Sequence, residues 1–152
     1  MFASIGPEHH MTVAATVESV LGVKSKRHDT RLALAYSIEH GLPVSALDRV
    51  AALIAPDDAR FKFRLVPKAT LERRRNTTKR LTLEEGEKLA RLAKVFSVAL
   101  DIYRDAEKVR EFLRRPHMML DNKAPLDVAL TTGPGADAVI NVLGRAAYSG
   151  GV

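Results

Sequence analysis

Between residues 60 and 80 the chain carries nine Lys or Arg and a single acid, Glu72. Side chains of that type and density neutralise phosphates, so their chemistry is to hold a polyanion rather than to transform a substrate. The segment has a local charge of +8 against +6 for all 152 residues, which leaves the remainder slightly acidic. Lys68, Thr70 and Arg73 are expected to share the outward face of one short helix, by i, i+3 spacing, with Leu71, or Leu71 and Ala69, turned inward. In a helix-turn-helix pair joined at Val66-Pro67, these three would address base edges in the major groove. Arg74, Arg75, Lys79 and Arg80 would then reach phosphates. A solvated charged face, or a site for an acidic protein, would use the same residues. Over 67–81 no aromatic residue is interleaved with the cations as in single-strand RNA binders, so double-stranded DNA is the favoured polyanion.

Other chemistry-bearing residues point away from catalysis. The five His, at 9, 10, 28, 40 and 117, show no metal-ligand spacing. Carboxylate pairs occur as Asp57-Asp58 and Glu84-Glu85, both at expected helix starts. Gly133-Pro134-Gly135-Ala136 precedes a helix but follows no strand and lacks the Lys-Ser/Thr of a phosphate loop. With no Cys, a disulfide, a thiolate metal site and a Cys nucleophile are all excluded. The expectation is a protein with no catalytic residue, no metal and no cofactor. No apolar run approaches the roughly 20 residues of a membrane span, and Pro7-Glu8-His9-His10 stands where a signal peptide would be cationic. A cytoplasmic protein with no membrane partner is expected.

The elements that must position the basic residues read as helices throughout. Residues 12–21 have helical spacing and end at Gly22, a C-cap. From Thr30, Leu32, Leu34, Ala35 and Ile38 predict one apolar face closed by Gly41. Pro43 opens the next helix, with Ser45 or Asp48 near its start and Leu47, Val50, Ala51 and Ile54 as its buried stripe. Pro56-Asp57-Asp58 predicts an N-cap for a short helix over 59–65, and a second short helix follows over 68–75. After a polar linker at 76–80, Thr82-Leu83-Glu84-Glu85 is a capping box opening the longest helix, with Leu89, Leu92, Ala93, Phe96, Ala99, Leu100 and Tyr103 as its stripe. A short helix over 109–113 stops before Pro116, a loop covers 117–124, and Pro125 opens another helix. Thr132-Gly133-Pro134-Gly135 is expected to break that helix before a last one over 136–148. The fold class is all-α, a compact multi-helix protein.

In the C-terminal third, Phe112-Leu113, Pro116, Pro125-Leu126-Asp127, the run 131–135, and Leu143-Gly144-Arg145 followed by Gly150 stand in an ordered series. That series resembles the toxin-binding C-terminal domain of RES–Xre (ParS or MbcA-like) antitoxins. Upstream, the text at 41–47 and 70–75 is similar to the Xre-like helix-turn-helix half of the same family, so the resemblance spans roughly residues 12–152. Departures are confined to loops: His117-Met118-Met119 where polar residues are usual, no Gly at Lys123-Ala124, and two Gly at 133–135.

The resemblance implies three parts: a tail and short helix over 1–27, a DNA-binding module over 28–81, and a toxin-binding domain over 82–152. It implies a type II antitoxin whose partner, a RES-type toxin resembling ADP-ribosyltransferases, uses NAD. Neutralisation would come from covering the toxin's NAD pocket, and autoregulation from binding operator DNA as a homodimer. Within that reading, Arg145, Tyr148 and the tail Ser149, Gly150, Gly151 and Val152 would lie at the pocket entrance, where a terminal carboxylate can replace a pyrophosphate oxygen. Asp121, Asp127 and Asp137 would supply anionic groups at the rim, or Asp127 and Asp137 serve only as helix N-terminal charges and the tail is frayed. A helix-turn-helix regulator with no toxin partner is the alternative function.

Overall fold

The computed structural model describes residues 16–24 and 30–149, of which Thr30 and Arg31 are described by backbone alone. Helix α1 (Val17–Leu21) is started by Thr16, whose Oγ1 accepts from Ser19 N at 3.1 Å, and stopped by Gly22 in the left-handed region. The expected residues 12–15 of this helix lie outside the described residues. Helix α2 (Thr30–His40) packs Leu34 and Ile38 inward, one turn apart. Leu32 and Ala35 belong to the expected face but are exposed, because Leu32 lies about 200° around the helix from Leu34 at 100° per residue.

Helix α3 (Val44–Ile54) buries the expected stripe and adds Val44 and Ala46. Pro43 occupies its N-cap with no side-chain cap, so neither Ser45 nor Asp48 caps it; Asp48 is used elsewhere. The segment expected as an α-helix over 59–65 is instead a single 3-10 turn, Phe61–Arg64. Asp58 does bend the chain, its carboxylate accepting Arg60 N at 2.9 Å. Pro67 then disfavours helical backbone at Val66, which leaves too few residues for an α-helix.

Helix α4 (Lys68–Arg75) has the predicted bounds. Helix α5 (Leu83–Tyr103) begins with the predicted capping box: Thr82 Oγ1 accepts Glu85 N at 3.2 Å, and Glu85 accepts Thr82 N at 2.8 Å. Arg104 turns the chain in the left-handed region, and Asp105 caps α6 (Ala106–Arg114) by accepting Glu107 N at 2.8 Å, so α6 starts three residues before the expected Val109. The loop 117–124 holds a 3-10 turn, Met118–Leu120. Helices α7 (Pro125–Thr131) and α8 (Gly133–Ser149) follow.

The break expected over 132–135 is confined to Thr132, whose extended backbone ends α7, and 133–135 are corrected to the first turn of α8. Thr132 Oγ1 accepts Gly135 N at 3.0 Å, Pro134 sits where the helix needs no donor, and a side chain at 135 would strike the Val128 carbonyl. Gly135 thus lets α7 and α8 approach closely rather than separating them.

The architecture is all-α. Helix α5 is the axis, packed against α1, α2, α3, α6, α7 and α8. One continuous apolar cluster, from Val20 through Leu47, Phe61 and Phe96 to Leu143, runs across both halves of the chain. Pairing of extended backbone among the described residues is confined to two isolated bridges, Pro43 with Arg80 and His117 with Lys123. No helix among the described residues is long and apolar enough to cross a membrane.

Candidate functional site

Helix α4 is held by one apolar and two ionic anchors. Leu71 is its buried residue. Arg74 and Arg75 flank Leu71 on the helical wheel and turn inward with it. Arg74 pairs with Glu85, both side chains about five-sixths buried, and the same Glu85 oxygen accepts Thr82 N. Arg75 grips Asp48 of α3 through two hydrogen bonds of 2.7 and 2.8 Å, with Lys62 Nζ 3.8 Å from the same carboxylate. Two carboxylates therefore fix the orientation of α4 against α3 and α5.

The electrostatics follow from these contacts. The Arg75 hydrogen bonds hold the Asp48 carboxyl below its usual range, outweighing the burial that would raise it. Arg75 itself is pushed up by Asp48. Burial works to raise Glu85, but the Thr82 backbone N–H and Arg74 together bring it below its usual value.

Beyond α4, Lys79 adopts a left-handed conformation that brings the chain back along residues 41–44. Val44 N donates to Lys79 O at 2.9 Å and Leu81 N to Leu42 O at 2.8 Å. Arg80 Nη1 donates to Gly41 O at 3.1 Å. Of the expected DNA contacts, Lys68, Arg73 and Lys79 are exposed with no ion-pair partner among the described residues, and Thr70 is half-buried beside them. Arg74, Arg75 and Arg80 are engaged with the protein itself. Ala69, the other residue with a candidate inward position, is exposed, and Glu72 shares the outward face with Lys68 and Arg73.

The helix preceding α4 is corrected accordingly. The 3-10 turn at Phe61–Arg64 is too short to be the first helix of a pair, and the α-helix that precedes α4 and packs on it is α3. The connection between them spans 55–67, longer than the tight Val66-Pro67 turn expected.

The C-terminal candidates separate into two groups. Asp137, Arg145 and Tyr148 recur at i, i+8 and i+11 on α8, one exposed stripe that also carries Asn141. Tyr148 is 96% exposed. Ser149 ends the helix with its hydroxyl on Ala146 O at 3.2 Å, whereas Gly150, Gly151 and Val152 lie outside the described residues. Asp127, on the first turn of α7, is bound to Arg64 at 2.6 Å, a contact that ties α7 to the turn preceding α4. Asp121 sits in the left-handed region at the end of Met118–Leu120, exposed and apart from both. A second tie between the halves is Arg110 Nε on Leu53 O at 2.8 Å.

Of the His residues, 9, 10 and 28 lie outside the described residues. His40 Nδ1 is 2.8 Å from Tyr36 O, and His117 Nδ1 accepts Met119 N at 3.1 Å, so each stabilises local backbone. Among the described residues no three of His, Asp and Glu gather as a metal-binding set.

The anchoring role of the two carboxylates is not legible in the sequence. Glu85 reads there as a capping residue with nothing to join it to Arg74, and Asp48 lies 27 residues from Arg75 with no local spacing to join them.

Comparison with known proteins matches two families whose ranges meet within α5, between residues 94 and 98. Residues 33–94 match the Antitoxin Xre-like helix-turn-helix domain. Residues 98–148 match the Antitoxin Xre/MbcA/ParS C-terminal toxin-binding domain. The chain is also 31% identical over 111 residues to "Antitoxin Xre" of Yersinia enterocolitica, covering 72% of this chain and 74% of that protein.

Proposed function

The chain belongs to the Xre-type antitoxins, and from that premise we propose that it neutralises a RES-type, NAD-using toxin by covering its active site and represses its own operon by binding operator DNA. The observation that carries this reading is the order of the two matches on one chain, a helix-turn-helix domain at 33–94 and a toxin-binding domain at 98–148.

On the DNA side, α4 enters the major groove with Lys68, Thr70 and Arg73 outward and Lys79 on a flanking phosphate. Arg74 and Arg75 act through the helix, holding it to Glu85 and Asp48. Arg80 lies beside them, with its guanidinium shared between Gly41 O and the neighbouring phosphate. A homodimer supplies the second half-site that such a short helix needs for usable affinity.

On the toxin side, the α8 stripe of Asp137, Arg145 and Tyr148 and the segment 149–152 face the pocket entrance, with Asp121 and Asp127 at its edge. Asp127 reaches the toxin only by sharing or releasing Arg64. The partner does the chemistry, an ADP-ribosyltransferase-like use of NAD, and this chain blocks access to it.

Co-expression with the product of the adjacent open reading frame tests the proposal. A RES-type neighbour that co-purifies with this chain, and whose toxicity the chain suppresses, is the expected result. An adjacent protein that neither binds nor harms the cell would leave a stand-alone regulator.

A further inference from the structure

Resting on the antitoxin reading above, we propose that the groove between the end of α5, helix α6 and the last turns of α8 is the anchor pocket for the toxin. It takes an apolar side chain of the toxin, with an acidic residue beside it meeting Lys108 and Arg115.

The groove has a volume of about 480 Å³, enough for one or two large side chains. Its floor is half-buried and aromatic. The Tyr103 and Phe112 rings lie 5.9 Å apart, tilted by 41°, and His117 meets Phe112 edge-on at 6.4 Å. Val142 and Ala146 of α8 close the opposite wall. Aromatic floors with a small residue opposite suit an inserted anchor, the arrangement that concentrates binding energy at the centre of protein interfaces.

Three observations select the toxin as occupant. The exposed charges at the groove are Lys108, Arg115 and Glu111, a cationic excess that calls for an acidic partner. Apolar side chains follow the lining in sequence: Met118, next to the lining residue His117, is 83% exposed, and Met119 is 51% exposed. Apolar exposure of this kind marks a surface that another protein covers. Finally, every residue lining the groove falls within 98–148, the range matched by the toxin-binding domain.

The test uses the full chain and the purified toxin from the adjacent gene, with affinity measured calorimetrically. Ala146→Phe fills the groove from α8, and the double variant Lys108→Glu/Arg115→Glu reverses its charge. The proposal expects wild-type binding, a loss of about 30-fold or more in A146F, and a loss of about 10-fold with a changed salt dependence in the double variant. Thermal melting and operator binding should be unaltered in both. Should A146F disturb the fold, the charge variant decides alone. Toxin binding by both variants at wild-type strength overturns the groove while leaving the antitoxin reading intact. Loss of self-association in A146F with unchanged toxin affinity assigns the groove to a second copy and also overturns it. Failure of the wild-type chain to bind the toxin removes both.

Discussion

Arg74 and Arg75 stand in the most cationic part of the chain, yet both point inward onto Glu85 and Asp48. Met118 and Tyr148 are residues a core would accept, yet they stand 83% and 96% exposed. The N-terminal half thus spends part of its charge on internal geometry, and the C-terminal half leaves apolar surface uncovered. The difference separates two ways of preparing a binding surface. A helix that must enter a groove needs its orientation fixed, because misalignment would cost every base contact at once. A surface that meets another protein needs apolar area and a recess, and can leave both open until the partner arrives.

Disrupting the anchor of α4 should give the largest effect. Leu71→Ala removes a fully buried side chain and is expected to cost about 3 kcal/mol of stability. Chemical denaturation measures the loss, and an unchanged midpoint would show that α4 is not packed as described. Tyr148→Ala probes the opposite half. It should weaken toxin binding by about 2 kcal/mol or more while leaving the melting temperature unaltered, because the side chain touches little of its own protein.

The arginines of α4 sharpen the comparison within a single helix. Arg74→Ala leaves Glu85 largely buried without its cation and should destabilise the fold by about 1–2 kcal/mol. Arg73→Ala should leave stability unchanged, cost about 1–3 kcal/mol of operator affinity and relax specificity at the base position it reads. Equal effects of the two variants on stability would remove the distinction between anchor and contact.

The smallest effect is in pH. Asp48 and Glu85 have folded-state values below the unfolded ones, so their contribution is present above about pH 4 and is lost as pH falls through the lower folded values. Asp48→Asn should therefore lower stability at neutral pH and flatten the acid side of the profile, converging with wild type at the lowest pH. Parallel acid limbs would mean that the Asp48–Arg75 contact does not form in solution.

Where local motifs decide structure, the sequence is readable. Pro67 and the run of helix formers after it predict α4 with its observed bounds, and the Thr82–Glu85 box predicts the start of α5. The ordered motifs of the C-terminal third point to the same family as the comparisons. Long-range choices are not readable. Gly135 looks like a helix breaker until the Val128 carbonyl is placed against it, and Leu32 looks like core until Leu34 and Ile38 take the buried face. The groove draws its lining from α5, α6, the residues after α6, and α8, segments up to about forty residues apart, and no local pattern unites them. Contacts such as Asp48 with Arg75 and Arg64 with Asp127 are set by tertiary packing, so spacing along the chain carries no trace of them.

The claim that this chain blocks a toxin's active site is tested most directly by following NAD consumption by the purified toxin as the chain is added. The account predicts that turnover falls in proportion to added chain and reaches zero at a fixed molar ratio, with Arg73→Ala as effective as wild type. A stable complex that still consumes NAD at the free toxin's rate would contradict it.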